Sequence, residues 1–413
     1  MRNLDRITNP FNDDKVIANC GIFGVMNTAG GKMSGRDVIE AMANMHDRGN
    51  GLGGGFAAYG IYPEHPEEYA LHVMFETQRA REETERALQE WFRIGAQEPI
   101  PTRNTRGIAN APILWRYFVE PLQEEAIPPT PDGAIALTPD DYVVDRVMVI
   151  NTSIDGAFVF SSGKNMGVFK GVGHAEDIGT FFCLDEYQAY LWTGHSRFPT
   201  NTQAWWGGAH PFSILDWTVV HNGEISSYGT NRAFLEMYGY YCSMHTDTEV
   251  IAYATDLLVR KHGLPISVVA KVFAAPLWQD IDRMPSPDRE TYTALRQVYG
   301  SLLMNGPFAV IIAHQGEMIG LRDRINLRPL VAGSKGDLLF LASEEAPIRL
   351  VCPDVERTWA VQGGEPVIGR LFEGIVEPGV DRSAVYEEPC IERFYGHKGQ
   401  REVHSLSGMR AAM

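Results

Sequence analysis

A cysteine standing directly before a short apolar run limits what this chain can fold into more than any other feature. In Asn19-Cys20-Gly21-Ile22-Phe23-Gly24-Val25-Met26 the residues after the cysteine read as a buried strand, while Met1 to Asn19 are polar and aperiodic. If the Asn19–Cys20 bond is cut, Cys20 becomes N-terminal and carries a thiol and a free amine on one residue. An α-amine titrates near about 8 and can serve as a general base at neutral pH. The plainer alternative is a small buried cysteine at a strand start.

The rest of the composition narrows the setting. With 413 residues the chain can bury a large core, as two to three domains or as one domain with a substantial insertion. A formal net charge of -16 disfavours nucleic-acid backbones and anionic lipid as partners, and no apolar run is long enough to span a bilayer. Five scattered cysteines, without a C-x-x-C pair, argue for reduced thiols in a cytoplasmic protein. They argue against a disulfide framework and against a zinc or iron–sulfur site built from this chain alone, and no metal site is expected. Residues 1–19 lack a signal peptide's apolar core and read as a leader or propeptide.

After the cysteine strand, Ser34 can cap a helix with Val38, Met42 and Met45 on one face. The glycine-laden segment Arg48 to Gly55 lacks a phosphate-loop pattern and precedes a strand-like run, so it reads as close backbone packing beside the Cys20 strand. From about 63 to 142 the texture changes to that of a small α+β insertion. A strand at Tyr69–Phe75 precedes a helix from about Arg79 to Arg93, and a second strand lies around Ile113–Val119. Short β-rich runs then follow at Val147–Asn151, Ala157–Ser162 and Met166–Lys170. Helices are expected between about Pro265 and Leu303. Strands follow at Phe308–Ala313, Met318–Leu321 and Leu338–Ala342, then a helix starting near Ser343, and 395–413 reads as a tail.

Three polar groups invite chemistry. Arg197, in Gly194-His195-Ser196-Arg197-Phe198, has the planar fork that suits a carboxylate, or is simply a salt-bridge arginine. Asn222-Gly223, after the apolar run Trp217–Val220, is either a turn or two neutral donors aimed at one point, as in an oxyanion hole. Asp247 falls in the first turn of a helix, where Thr246 and Glu249 have capping-box spacing. It either complements the helix dipole or pairs with a substrate ammonium.

Taken in order, these segments resemble the class II glutamine amidotransferases of the N-terminal-nucleophile hydrolases. The resemblance rests on Cys-Gly-Ile-Phe-Gly at Cys20, Arg48-Gly49, Gly-His-Ser-Arg-Phe-x-Thr-Asn-Thr at Gly194–Thr202 and His-Asn-Gly-Glu-Ile at His221. Thr-Asp-Thr-Glu at Thr246, Gly306-Pro307-Phe308-Ala309 and Arg328-Pro329-Leu330 complete it. Within that family the pattern looks most like the amidotransferase domain of glutamate synthase. The resemblance implies an α+β, four-layer αββα sandwich of two mainly antiparallel sheets over 20–394. It also implies hydrolysis of L-glutamine through a Cys20 thioester, with Asn222 and Gly223 holding the oxyanion, Arg197 and Asp247 gripping the substrate's charged ends, and Thr200 and Arg48 in support.

Relatives uncover the cysteine by removing methionine or a propeptide. Ammonia would pass to a glutamate-synthase-like or N-methylglutamate-synthase-like partner subunit, which could carry flavin and an iron–sulfur cluster; no cofactor is expected in this chain. A scaffold subunit retaining its leader, or an amidase for another amide, are the competing readings. One departure from the family pattern is Asp47, which sits between His46 and Arg48.

Overall fold

A computed structural model describes residues 20–122, 138–198 and 204–376. The leader, the C-terminal tail and Thr200 lie outside the described residues.

Among the described residues, two antiparallel sheets carry the fold. The first has seven strands, in the order Arg357–Ala360, Val331–Lys335, Leu338–Ala342, Gly21–Asn27, Leu191–Ser196, Gly54–Tyr59 and Met166–Gly171. The second has six, in the order Phe212–Ile214, Trp217–Gly223, Phe308–His314, Glu317–Arg322, Val367–Arg370 and Gly374–Val376. Residues paired across antiparallel strands point to the same face. Phe23 pairs with Gly194, and Gly194 with Phe56, on the face covered by helices Gly35–Asn44 and Ala175–Phe181. The opposite face, through Met26, Leu191 and Leu339, packs in one core with Val220, Ile311 and Met318 of the second sheet.

The outer face of the second sheet offers Val219, Val310, Ile312 and Leu321 to a separate core. Helix Asp247–Asp256 and helix Ile266–Phe273 complete that core. Helix, sheet, sheet, helix is the expected four-layer α+β sandwich. It also explains why Phe308–Ala313 is apolar without alternation, since a strand covered on both faces has no solvent side to leave polar.

The small α+β unit differs in extent from the sequence reading. Its sheet runs Phe92–Pro99, Ile113–Pro121, Tyr69–Phe75, Ala157–Ser161, so it ends at Ser161 and not near 142. Val147–Asn151 is not a strand but part of helix Pro139–Ser153. Thr138 caps that helix by accepting from Asp141 N, the Asp141 carboxylate accepts from Thr138 N, and Pro139 opens the first turn. A reciprocal cap outweighs the strand preference of a β-branched run. The preceding helix, expected to run to about Arg93, spans Gln78–Trp91, and Phe92 begins a strand.

Elsewhere, Leu338–Ala342 joins the first sheet beside the Cys20 strand. The helix expected from Ser343 starts at Ala346. The glycine-rich segment packs closely as expected: Arg48 lies against Gly21 at the start of the Cys20 strand, and Gly54–Tyr59 pairs with Leu191–Ser196 and Met166–Gly171. A Cβ on Gly55 would stand 2.3 Å from His210 O.

Candidate active site

Strand alternation assembles the site. Along Trp217–Gly223, Val220 faces the first sheet and Val219 faces the helices. The next two residues therefore diverge. Asn222 turns inward, where its Nδ2 donates to Ser343 Oγ at 3.2 Å. Ser343 Oγ also accepts from Ile22 N at 3.1 Å, so one hydroxyl ties Asn222 to the strand that follows Cys20. His221 turns outward toward the start of helix Asp247–Asp256, and its Nδ1 stands 3.5 Å from Asp247 Oδ1 and 3.2 Å from Thr248 Oγ1.

Asn222-Gly223 is thus not a turn but the end of a strand, paired with Ala309 and Phe308. Gly223 has φ +144°, and a Cβ there would stand 2.0 Å from Pro307 O, so the strand can end in this way only on glycine.

One cleft of about 230 Å³ collects Cys20, Arg197, Phe198, Gly223 and Asp247, with His210, His221, Tyr228, His245 and Thr248 around them. The Phe198 N–H donates to Cys20 Sγ at 3.3 Å. Burial pushes the Cys20 thiol up, and the Phe198 hydrogen bond and the charges of Arg197 and Arg328 draw it back only in part. Arg48 lies behind the cysteine, with Nε donating to Cys20 O at 3.3 Å. Arg197 is buried, and its burial lowers the guanidinium pKa against the opposing pull of Cys20 and Asp247.

Asp247 is held from several sides. Its Oδ2 accepts from Ile225 N at 3.0 Å, and Thr248 Oγ1 lies 3.3 Å from Oδ1. Burial would raise its carboxyl, but His221, the Ile225 amide and Thr248 outweigh it and the pKa falls below the ordinary value. Thr246 caps the helix by accepting from Thr248 N. The capping box is incomplete, because Glu249 turns back to accept from Met244 N.

Behind these groups lies a layer that the sequence reading did not single out. Thr248 Oγ1 meets His210 Nε2 at 2.7 Å, and His195 stacks on His210 with centroids 3.9 Å apart. His195 Nε2 donates to His221 O at 2.9 Å. Burial drives the pKa of His195 down to about 3 and that of His210 well below its ordinary value, so both rings are neutral at physiological pH. The period-two alternation of Val219–Gly223 was the available signal for the outward turn of His221. Thr248 lies inside the Thr-Asp-Thr-Glu motif, which does not announce its hydrogen bonds, and nothing local marks His210.

Against known proteins, residues 141–376 match the family model described as glutamine amidotransferases class-II. The chain belongs to the class II glutamine amidotransferases. Cys20 and Arg48 precede the matched span of this amidotransferase. An Archaeoglobus fulgidus protein named "Uncharacterized protein" is 57% identical over 87% of this chain and 94% of its own length. One from Methanothermobacter thermautotrophicus, named "Putative glutamine amidotransferase", is 25% identical over 84% of this chain and 98% of its own. Among solved structures, glutamine phosphoribosylpyrophosphate amidotransferase from B. subtilis covers 86% of this chain and 48% of its own at 16% identity, with a TM-score of 0.43. The family hydrolyses amides, and no helix among the described residues is long and apolar enough to cross a membrane.

Proposed function

We propose that this amidotransferase hydrolyses L-glutamine to glutamate and ammonia at Cys20, and that ammonia then serves a synthase-type partner subunit. The observation that carries the reading is one cleft in which a thiol lies with a buried arginine and a half-buried carboxylate. Free glutamine has an anionic and a cationic group on one carbon, so Arg197 would take the carboxylate and Asp247 the ammonium. The side-chain amide is then left to reach Cys20.

The thiol is protonated at neutral pH, because burial raises it, so attack needs a base. The α-amine released by cutting before Cys20 supplies one. It takes the thiol proton as sulfur bonds to the amide carbon, and the carbonyl π electrons move onto oxygen. Gly223 N–H and the second N–H of the Asn222 amide, whose first goes to Ser343, would stabilise that oxyanion. The ammonium form of the base then protonates the leaving nitrogen. Ammonia departs, and water cleaves the γ-glutamyl thioester to free glutamate and thiol. Arg48, bonded to Cys20 O, holds the nucleophile's carbonyl.

The acceptor is read from the sequence resemblance to the amidotransferase domain of glutamate synthase, in a glutamate-synthase-like or N-methylglutamate-synthase-like assembly whose flavin and iron–sulfur groups sit on other chains in a shared cytoplasm. Glutamate release from glutamine, compared with release from simple acyl amides, tests the reading. Glutamine hydrolysis lost in Cys20→Ala is the expected result; turnover of other amides with none of glutamine would overturn it.

A further inference from the structure

His46, His174 and Glu176 meet outside the cleft, and the proposed glutamine chemistry uses none of them. His46 opens the short helical turn His46–Arg48. His174 stands at the N-cap of Ala175–Phe181 without making a side-chain cap bond, and Glu176 follows in the first turn. One ligand-type atom from each lies within 4.8 Å of the other two. His46 Nδ1 hydrogen-bonds Glu176, and the two imidazoles stack with centroids 4.0 Å apart. His174 Nδ1 and Glu176 Oε2 are buried, with no hydrogen-bond partner among the described residues. Buried polar atoms are nearly always paired, so two orphans in one cluster of this chemistry call for a further ligand.

We propose that His46, His174 and Glu176 bind one divalent transition-metal ion of the zinc class. Two imidazoles and one carboxylate form a donor set suited to zinc or cobalt and poorly suited to magnesium or calcium, which prefer all-oxygen shells. Bonds of about 2.0–2.2 Å in a tetrahedral site bring donor atoms to about 3.3 Å from one another, with water in the fourth position. The donors are already within 4.8 Å, and chelation requires the stacked rings to turn until their lone pairs converge. The His46 side chain is 51% exposed, which leaves it room to turn. The Asp47 and Asp177 carboxylates, close enough to act on His46, add negative potential for a cation. The same turn carries Arg48, which reaches Cys20 O, so the ion would brace the wall behind the nucleophile.

The test is zinc binding to the full chain, measured by competition with a chromophoric chelator, for wild type, Cys20→Ala, His46→Ala and Glu176→Gln. We expect one zinc ion in wild type and in Cys20→Ala, with affinity at least about tenfold weaker in each of the other two. Cobalt bound to the wild-type chain provides a readout that needs no variant: a four-coordinate visible spectrum lacking thiolate charge transfer. Absence of zinc binding, equal binding by His46→Ala and Glu176→Gln, loss of the ion in Cys20→Ala, or a thiolate band with cobalt would each overturn the proposal.

Discussion

Asp247→Asn is the sharpest probe of how substrate is held. Asparagine has the volume of aspartate, and its side-chain oxygen can still accept from Ile225 N, the 3.0 Å bond that anchors Asp247 at the helix start. The fold should persist, and what is lost is charge. Two unit charges about 3 Å apart at an effective dielectric of about 20 attract with about 5–6 kcal/mol before desolvation is subtracted. The net value of a hydrogen bond to a charged group is about 1.5–3 kcal/mol. At tenfold per about 1.4 kcal/mol, KM for glutamine should rise about 10- to 150-fold. The ammonium sits on the α-carbon, three bonds from the amide that reacts, so the contact is alike in ground and transition states. kcat should stay within about threefold. Steady-state glutamate release, with unfolding curves to show an intact fold, measures both constants. A large fall in kcat at unchanged KM would refute the binding role and point to Asp247 acting on the chemistry.

Substitutions at three further positions probe the surrounding frame. Gly223→Ala forces a Cβ into Pro307 O at φ +144° and should cost about 2 kcal/mol or more in urea unfolding and abolish activity; a variant as stable and active as wild type would contradict the strand-end geometry. Thr248→Val strips the hydroxyl that His210, His221 and Asp247 share, and should raise KM for glutamine while Thr248→Ser restores it. Equal effects of the two would mean that packing, not the hydroxyl, matters. Lys170 is buried with Nζ on Gly207 O, and burial lowers its pKa to about 7. Between about pH 7 and 10 the unfolded chain therefore holds the proton that the folded chain has lost. Lys170's contribution to stability grows as pH rises through that window. Unfolding at pH 7 and 9 should show wild type gaining on Lys170→Met as pH rises, and a constant difference would refute the depressed pKa.

The sequence exposed those parts of the fold whose signals are local. Tyr69–Phe75 and Leu338–Ala342 read as strands because each is a bounded apolar run, and Ser34 announces its helix by its cap. The run Val147–Asn151 misleads because its β-branched residues lie within a helix whose cap, Thr138 to Asp141, sits a full two turns upstream. Which sheet a strand joins was not legible: Phe308–His314 and Leu338–Ala342 look alike in sequence yet belong to different layers.

The candidate site divides along the same line. Cys20, Arg197, Asn222, Gly223 and Asp247 stand in recognisable motifs. Thr248 shares the Asp247 motif, but its bond to His210 and the bonds of Ser343 join residues 38 to 321 apart in the chain, which no local pattern encodes.

Everything in the proposed chemistry depends on a free amine at Cys20. The most direct measurement is the intact mass of the purified protein while it is turning over glutamine. Cleavage before Cys20 predicts a chain beginning at that residue, with activity rising in step with its fraction. Full glutamine hydrolysis by protein that still carries residues 1–19 would contradict the account.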